Sequence, residues 1–308
     1  MVFTENFYKY TSAETALNYI LQSSSLRFSN PKKFNDPFDV IPGSLTPFDL
    51  ESAWAEIQNY HKDAVKRGYD LKALREGKVK LVASNTADPI KTMAVEAWNN
   101  ILANDTTLFE DEKIELPDVT LNKDHIRSSI GLLYQAIIDN FQIAKVFCAC
   151  IEPYNIHLWS HYADEHKGIV LEFSPDLKSD SHFQLLTNVL YSDIRPALWS
   201  SPEELIKTAF EYSTQEEAKR FVQECIYTKS KDWDKEQEVR MIYFIDNKSD
   251  YYNIEFLASE LKSVYLGCSI DECDQIKILE ILNQKFPSTK KYKMIKNPFQ
   301  YKLDFIEL

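Results

Sequence analysis

Lys229-Ser230-Lys231-Asp232-Trp233-Asp234-Lys235-Glu236-Gln237-Glu238-Val239-Arg240 runs straight into Met241-Ile242-Tyr243-Phe244, so a charged, tryptophan-centred approach ends in an apolar strand. Glu238 stands one residue before the apolar run from Val239, with Glu236 two residues earlier and Arg240 two residues later. All three share a face wherever the backbone is extended, because strand side chains alternate with period two. Charged residues entering a strand ordinarily form a solvated face, and Glu/Arg alternation ordinarily gives cross-strand ion pairs. Two carboxylates and a guanidinium on one face can also hold a ligand and move a proton.

Working outward, strand patterns cluster at both ends of the chain. Downstream, Val264-Tyr265-Leu266 reads as a strand, Asp271 to Gln284 as a helix, and Tyr292 to Ile295 and Tyr301 to Ile306 as closing strands. Upstream, strand signals fall at Val146 to Cys150, Gly168 to Phe173 and Leu185 to Tyr191, and a helical run opens at Pro202 and extends towards Tyr227. The N-terminus predicts a strand at Phe7 to Tyr10 and a helix over Ala16, Leu17, Ile20 and Leu21 capped by Thr11 or Ser12. A second strand at Leu26 to Phe28 leads into the turn-rich loop Phe34-Asn35-Asp36-Pro37-Phe38-Asp39. Between about 47 and 145 the period is helical: Ala53, Trp54, Ile57, Tyr60 and Val65 mark one helix and Ile126 to Phe141 another. The acidic stretch Phe109 to Glu115 and Pro117 break this region. The fold class is α+β, with strands at both ends and helices between.

Composition narrows the chemistry. The 308 residues carry a formal charge of −12, which opposes long-range attraction to polyanions and leaves any nucleic-acid contact to local basic clusters. The six glycines, at 43, 68, 77, 131, 168 and 267, never lie closer than nine residues. A Rossmann turn or a phosphate-binding P-loop needs them closer, so a bound nucleotide would be held by another fold. Five cysteines without a CxxC pair suit free thiols in a reducing compartment. The opening residues lack a secretory pattern and no apolar run reaches bilayer length, so the expectation is a cytoplasmic chain without a membrane partner.

Two further segments carry functional residue types. Tyr8-Lys9-Tyr10-Thr11-Ser12 combines a cation, rings and hydroxyls, and the plainer alternative is an ordinary first strand with core aromatics. In Leu158-Trp159-Ser160-His161-Tyr162, His161 lies four residues after His157 on one helix face, a spacing compatible with a metal. The glutamate that metallohydrolases place inside such a pair is missing, and no metal is assigned. Lysines 229, 231 and 235 surround Trp233, and lysines 290, 291, 293 and 296 surround Tyr292; lysines near rings can bind single-stranded nucleic acid, although most such clusters are solvated surface.

Tyr8-Lys9-Tyr10, the Phe34 to Asp39 loop, Trp159-Ser160-His161-Tyr162-Ala163-Asp164 with Lys167-Gly168, and Trp233-x-x-Glu236-x-Glu238-x-Arg240 occur in an order that resembles a bacterial family catalogued as a domain of unknown function. Its motif order is similar to that of ADP-ribosyltransferase-like proteins, including toxins that modify nucleic acids. The resemblance implies a single domain over 1–308 built on a split β-sheet core, with the helical insertion at about 47–145. It also implies NAD as substrate and ADP-ribose transfer to a macromolecule, RNA or DNA among them, in a toxin or anti-phage setting with an antitoxin protein as partner. Glu238 would stabilise the oxocarbenium-like ribose, Glu236 would accept the acceptor's proton, and Arg240 would pair with either or hold a pyrophosphate oxygen. Lys9 would neutralise a phosphate, Tyr8 or Tyr10 would stack on nicotinamide, and Thr11 or Ser12 would bond the ribose. Asn35 and Asp36, with Asp39, would fix a loop over the cofactor, and Trp159, His161 and Tyr162 would lie beside it. The first strand offers Lys9 where those proteins commonly carry Arg or His. The alternatives are a non-catalytic nucleic-acid- or protein-binding module on the same fold and, less favoured, a metal-dependent hydrolase.

Overall fold

The computed structural model describes residues 2–66, 123–211, 215–247 and 249–308. The chain divides into two compact units, one of residues 1–39, 142–193 and 227–308 and one of residues 40–141 and 194–226.

The first unit is an α+β structure around a large mixed sheet. Its strands are β1 (Phe7–Thr11), β2 (Ser25–Ser29), β3 (Ala144–Cys150), β4 (Ile169–Phe173), β5 (Thr187–Asn188), β6 (Leu190–Ser192), β7 (Thr228–Ser230), β8 (Glu238–Phe244), β9 (Tyr251–Glu255), β10 (Leu261–Leu266), β11 (Lys290–Lys296) and β12 (Leu303–Glu307). The main sheet runs β12-β11-β10-β4-β1-β3-β2-β9, with β8 on β3 and β5 on β8, while β6 and β7 form a separate parallel pair. The site is fixed by the pairing of β3. β8 takes one edge of β3 along its whole length, from Ala144 opposite Phe244 to Cys150 opposite Glu238. β1 and β2 must therefore share the other edge, β1 meeting it at Cys150 and β2 at Val146. Between those points neither strand covers β3, and the Lys9 ammonium fills the gap by donating to the Cys148 carbonyl at 2.8 Å.

Alternation along β1 sends Phe7 to one face and Tyr8 and Tyr10 to the other. Phe7 enters the main core against Phe147, Phe173 and Phe183. That core also receives the helical stretch Ala13–Thr15, Ala16–Ile20 and Leu21–Ser23 and the helix Glu272–Lys285. On the opposite face Tyr10, Trp159, Val170, Tyr265 and Met294 form a second cluster around the short helix Ile156–His161. Gly168 and Gly267 hold this end together: a Cβ on either would collide with backbone carbonyls, of Thr11 at Gly168 and of His166 at Gly267.

In the second unit the described residues form the helices Trp54–Lys66, most of Lys123–Gln142, Pro202–Glu211 and most of Gln215–Tyr227. Ile57, Leu205 and Ile206 are buried in it, and Arg195 and Tyr134 donate to the carbonyls of Ile41 and Pro42. The helical expectation at 47–145 holds at Trp54–Lys66 and Lys123–Gln142, whereas Phe109 to Glu115 and Pro117 lie outside the described residues. The helical period confines the insertion to that one stretch, but the helical unit also takes in 194–226. Local differences concern strands, β7 (Thr228–Ser230) among them, where the sequence offers only a charged approach. The segment Leu185 to Tyr191 is broken into a 3-10 turn, His182–Leu185, and the two short strands β5 and β6, because exposed Thr187 and Asn188 offer no apolar face. β9, too exposed and polar to show alternation, has no counterpart among the strands expected from sequence.

Candidate functional site

Where β1 and β2 part company along β3, a pocket of ≈ 450 Å³ opens in the first unit. Its lining includes Tyr8, Lys9 and Tyr10 of β1, Cys148 and Cys150 of β3, and Asn35 and Asp39 of the loop after β2. It also includes His161 and Tyr162 of the Ile156–His161 helix end, and Lys229, Glu236 and Glu238.

Glu236 and Glu238 reach the pocket by an unexpected backbone route. Glu236 closes a 3-10 helix, Lys231–Glu236, and Gln237 adopts the left-handed region at φ 46 before β8 begins at Glu238. Strand alternation, the route expected from sequence, therefore does not carry Glu236 to the side of Glu238. The left-handed turn does so, at a cost of about 1–2 kcal/mol for a residue other than glycine. The turn is held by the Gln237 N–H donating to Asp234 O at 3.2 Å, by the Ile151 N–H donating to Gln237 O at 3.3 Å and by the Glu238 N–H donating to the Tyr191 hydroxyl at 2.8 Å.

Beneath the pocket lies a buried ionic network. Arg240 is 0% exposed and forks twice. Its Nη1 and Nη2 donate to Asp39 Oδ1 and Oδ2, both at 2.7 Å, while Nε and Nη2 donate to Glu238 Oε1 and Oε2 at 2.7 and 2.8 Å. Lys229 Nζ donates to Glu236 Oε2 at 2.5 Å and Glu238 Oε2 at 3.1 Å, lies 3.7 Å from Asp39 Oδ2, and sits 4.9 Å from the Trp233 ring centre. Tyr162 donates to Glu236 Oε1 at 2.8 Å. Three carboxylates thus share two cations, which leaves the network one formal negative charge in excess.

The titration of these groups follows from that arrangement. Burial alone would raise the Glu238 carboxyl, but Arg240, then Lys229 and the Cys148 thiol, hold it down at about 2. Burial opposes the charge on Lys229 while Glu238, Glu236 and Asp39 push its pKa above the ordinary lysine value. Burial, then the neighbouring Glu238, pushes the Cys148 thiol well up, which makes it a poor nucleophile. Burial, then Glu236, raises the Tyr162 hydroxyl.

The two glutamates differ in what they can still accept. A carboxylate offers about four acceptor positions. Glu238 receives two bonds from Arg240 and one from Lys229, which leaves at most one position. Glu236 receives one bond from Tyr162 and one from Lys229, and about half of its capacity remains.

The remaining residues singled out in the sequence separate cleanly. Tyr8, Lys9, Tyr10, Asn35, His161, Tyr162, Glu236 and Glu238 line the pocket together. Thr11, Ser12, Asp36, Trp159 and Arg240 do not. Thr11 is buried in β1, and Ser12 caps the following helix by accepting from the Thr15 N–H. Asp36 makes an Asx turn, accepting from the Phe38 N–H at 2.8 Å. Trp159 is fully buried, its indole N–H donating to Pro153 O at 2.7 Å and its ring packed on Tyr10 and His166. Arg240 is a clamp below the floor and reaches no ligand. Lys229 and Asp39 carry more than the sequence assigned them. Lys229 stands four residues before Trp233 and Asp39 ends a turn-rich loop, but nothing nearby in the chain marks the groups they pair with.

Fold and site together define an α+β sheet protein with an acidic, aromatic-walled pocket at a fork in the sheet. A family model described as "Protein of unknown function (DUF2971)" matches residues 158–241, the stretch from the Ile156–His161 helix to the first half of β8. No curated protein and no solved structure matches the chain. Among the described residues no helix is long and apolar enough to cross a membrane.

Proposed function

We propose that this pocket binds NAD and cleaves its nicotinamide–ribose bond, transferring ADP-ribose to a macromolecular acceptor. The observation that carries the reading is the Glu236 carboxylate. It is fixed by Tyr162 and Lys229, it keeps open acceptor positions, and it faces a pocket within the range of about 300–1,000 Å³ typical of small-ligand sites. In the reaction the C1′–N bond breaks and its electron pair leaves with nicotinamide, so positive charge develops on the ribose. A network with one excess carboxylate stabilises that charge more than it stabilises the substrate. The acceptor oxygen or nitrogen then bonds C1′ and its proton passes to Glu236. Glu238, held by Arg240 and Lys229, maintains the negative field and positions Lys229. Lys9 and Lys33 at the pocket supply cations for the pyrophosphate, and Tyr8, Tyr10 and Phe34 supply rings for the nicotinamide. An antitoxin protein that covers the pocket is part of the same proposal.

Incubation of the protein with NAD labelled in the adenylate, together with cellular RNA, DNA and protein, tests this. Label transferred by the wild type and lost in Glu236→Gln supports the transferase. Absence of labelling, with nucleic-acid binding retained, supports a non-catalytic binding module on the same fold.

A further inference from the structure

The β11–β12 hairpin is locally basic in an acidic chain. Residues Lys290 to Lys302 hold five lysines, three aromatic rings and no carboxylate, in a protein of formal charge −12. The tip is ordered. Asn297 Oδ1 accepts from the N–H groups of Phe299 and Gln300, both at 2.8 Å, and its Nδ2 donates to Asp304 at 2.6 Å. That turn holds Phe299 92% exposed and Tyr301 fully exposed. Rings fixed in water by a built turn bury nothing within the chain and mark a surface made to meet something.

The sheet register connects this hairpin to the pocket wall. Tyr10 pairs with Val170, Val170 with Tyr265, and Tyr265 with Tyr292, so these four share one face of the sheet. On that face a chain of ring contacts runs from Tyr8, which lines the pocket, to Tyr265 at 6.4 Å, Tyr292 at 5.0 Å, Phe305 at 5.1 Å and Tyr154 at 5.7 Å. Glu172 anchors it from beneath, accepting from Asn6, Tyr8 and Tyr265. Tyr154 and Phe305 remain partly exposed, and Lys290 and Lys296 are exposed on the flanking strand. Of the other lysines, Lys293 is held by Gln275 and Lys302 pairs with Asp304.

We propose that the β11–β12 hairpin and this ring chain form a binding surface for single-stranded nucleic acid. Exposed rings give stacking faces that any base can use, and the exposed Lys290 and Lys296 neutralise phosphates, with Glu307 opposite Tyr292 the one carboxylate of the hairpin on that face. In a protein of formal charge −12, a local excess of lysine favours this hairpin as the place where a strand lies. The inference goes beyond the NAD reading and does not depend on it. If both hold, the strand occupies the face that carries the pocket and is the acceptor.

Fluorescence anisotropy of labelled oligo(U) and oligo(dT), about 15 nucleotides long to span a typical single-strand site, tests the surface at ~50 and ~200 mM salt. Binding of either strand, weakened about tenfold or more in Phe299→Ala/Tyr301→Ala, is the expected result. In Lys290→Gln/Lys296→Gln the slope of log affinity against log salt should fall by about 0.7 for each phosphate that is no longer neutralised. Both rings are exposed, so the alanine variant keeps its fold, which circular dichroism verifies. Absence of binding to either strand at low salt, or binding that neither variant alters, overturns the inference. Strand binding is measured without NAD and label transfer with it, so failure of the pocket chemistry and failure of this surface are read separately.

Discussion

Arg240 and Asp39, 201 residues apart in the chain, meet in a bidentate pair with both bonds at 2.7 Å, and the same guanidinium grips Glu238 on its other side. One buried cation thereby ties the loop after β2 to the start of β8, the two segments that flank the pocket. Replacing Arg240 by Ala leaves Asp39 and Glu238 buried with Lys229 as their shared counter-ion. Removing one partner of such a buried pair costs about 3–5 kcal/mol. Urea unfolding of Arg240→Ala should show a loss of that size, and Arg240→Lys should recover little of it, since an ammonium cannot fork to two carboxylates.

The same network sets an acid limit. The Glu238 carboxyl lies at about 2 in the folded protein against an ordinary 4.5, so the folded state binds its proton more weakly than the unfolded chain does. Its contribution is complete above about pH 4.5 and is lost as pH falls towards 2, because protonation then favours the unfolded chain. The integrated contribution is on the order of 3 kcal/mol. Urea midpoints measured between pH 7 and pH 3 should fall more steeply for wild type than for Glu238→Gln.

Close backbone approach near the pocket gives a prediction about glycine. A Cβ at Gly267 would collide with the carbonyl of His166, itself in a left-handed conformation at φ 69. Backbone cannot yield as a flexible side chain can, so Gly267→Ala should lower stability by about 2 kcal/mol or more. Gly131, with nothing near its Cβ position, serves as the control, and thermal melting compares the two.

Tyr162 separates stability from chemistry. Its hydroxyl donates to Glu236 from a partly exposed position, so Tyr162→Phe should cost about 1 kcal/mol or less in folding. If Glu236 acts on the ribose, the same substitution frees its orientation and should slow nicotinamide release about tenfold, equivalent to ~1.4 kcal/mol of barrier. Parallel melts and turnover assays distinguish these effects.

Much of this architecture could be read from periodicity. The strands at Phe7, Leu26, Val146, Ile169, Val239 and Val264 and the helices at Trp54, Ile126 and Glu272 all lie where alternation or helical spacing puts them. The pocket's composition was also legible at Tyr8 to Tyr10, Asn35, Tyr162 and the Glu236/Glu238 pair. The roles within it were not. Arg240 looks like a ligand-binding arginine in sequence because nothing local reveals that Asp39 will cross 201 positions to meet it. Trp159 looks functional beside His161 and Tyr162, yet a six-residue helix turns it inward while its neighbours face the pocket. Gln237 hides the route to Glu236, since a non-glycine left-handed residue has no clear sequence signature.

The claim that Glu236 acts on a glycosidic bond is tested most directly by free nicotinamide. Chromatographic measurement of its release from NAD, with water as the acceptor at C1′ and with the wild type, Glu236→Gln and an NAD-only blank, isolates cleavage of that bond from transfer to a macromolecule. The account predicts release above the blank by wild type and a fall of about a hundredfold or more in Glu236→Gln, with the variant's melting curve retained. Release by a folded Glu236→Gln at the wild-type rate would contradict it.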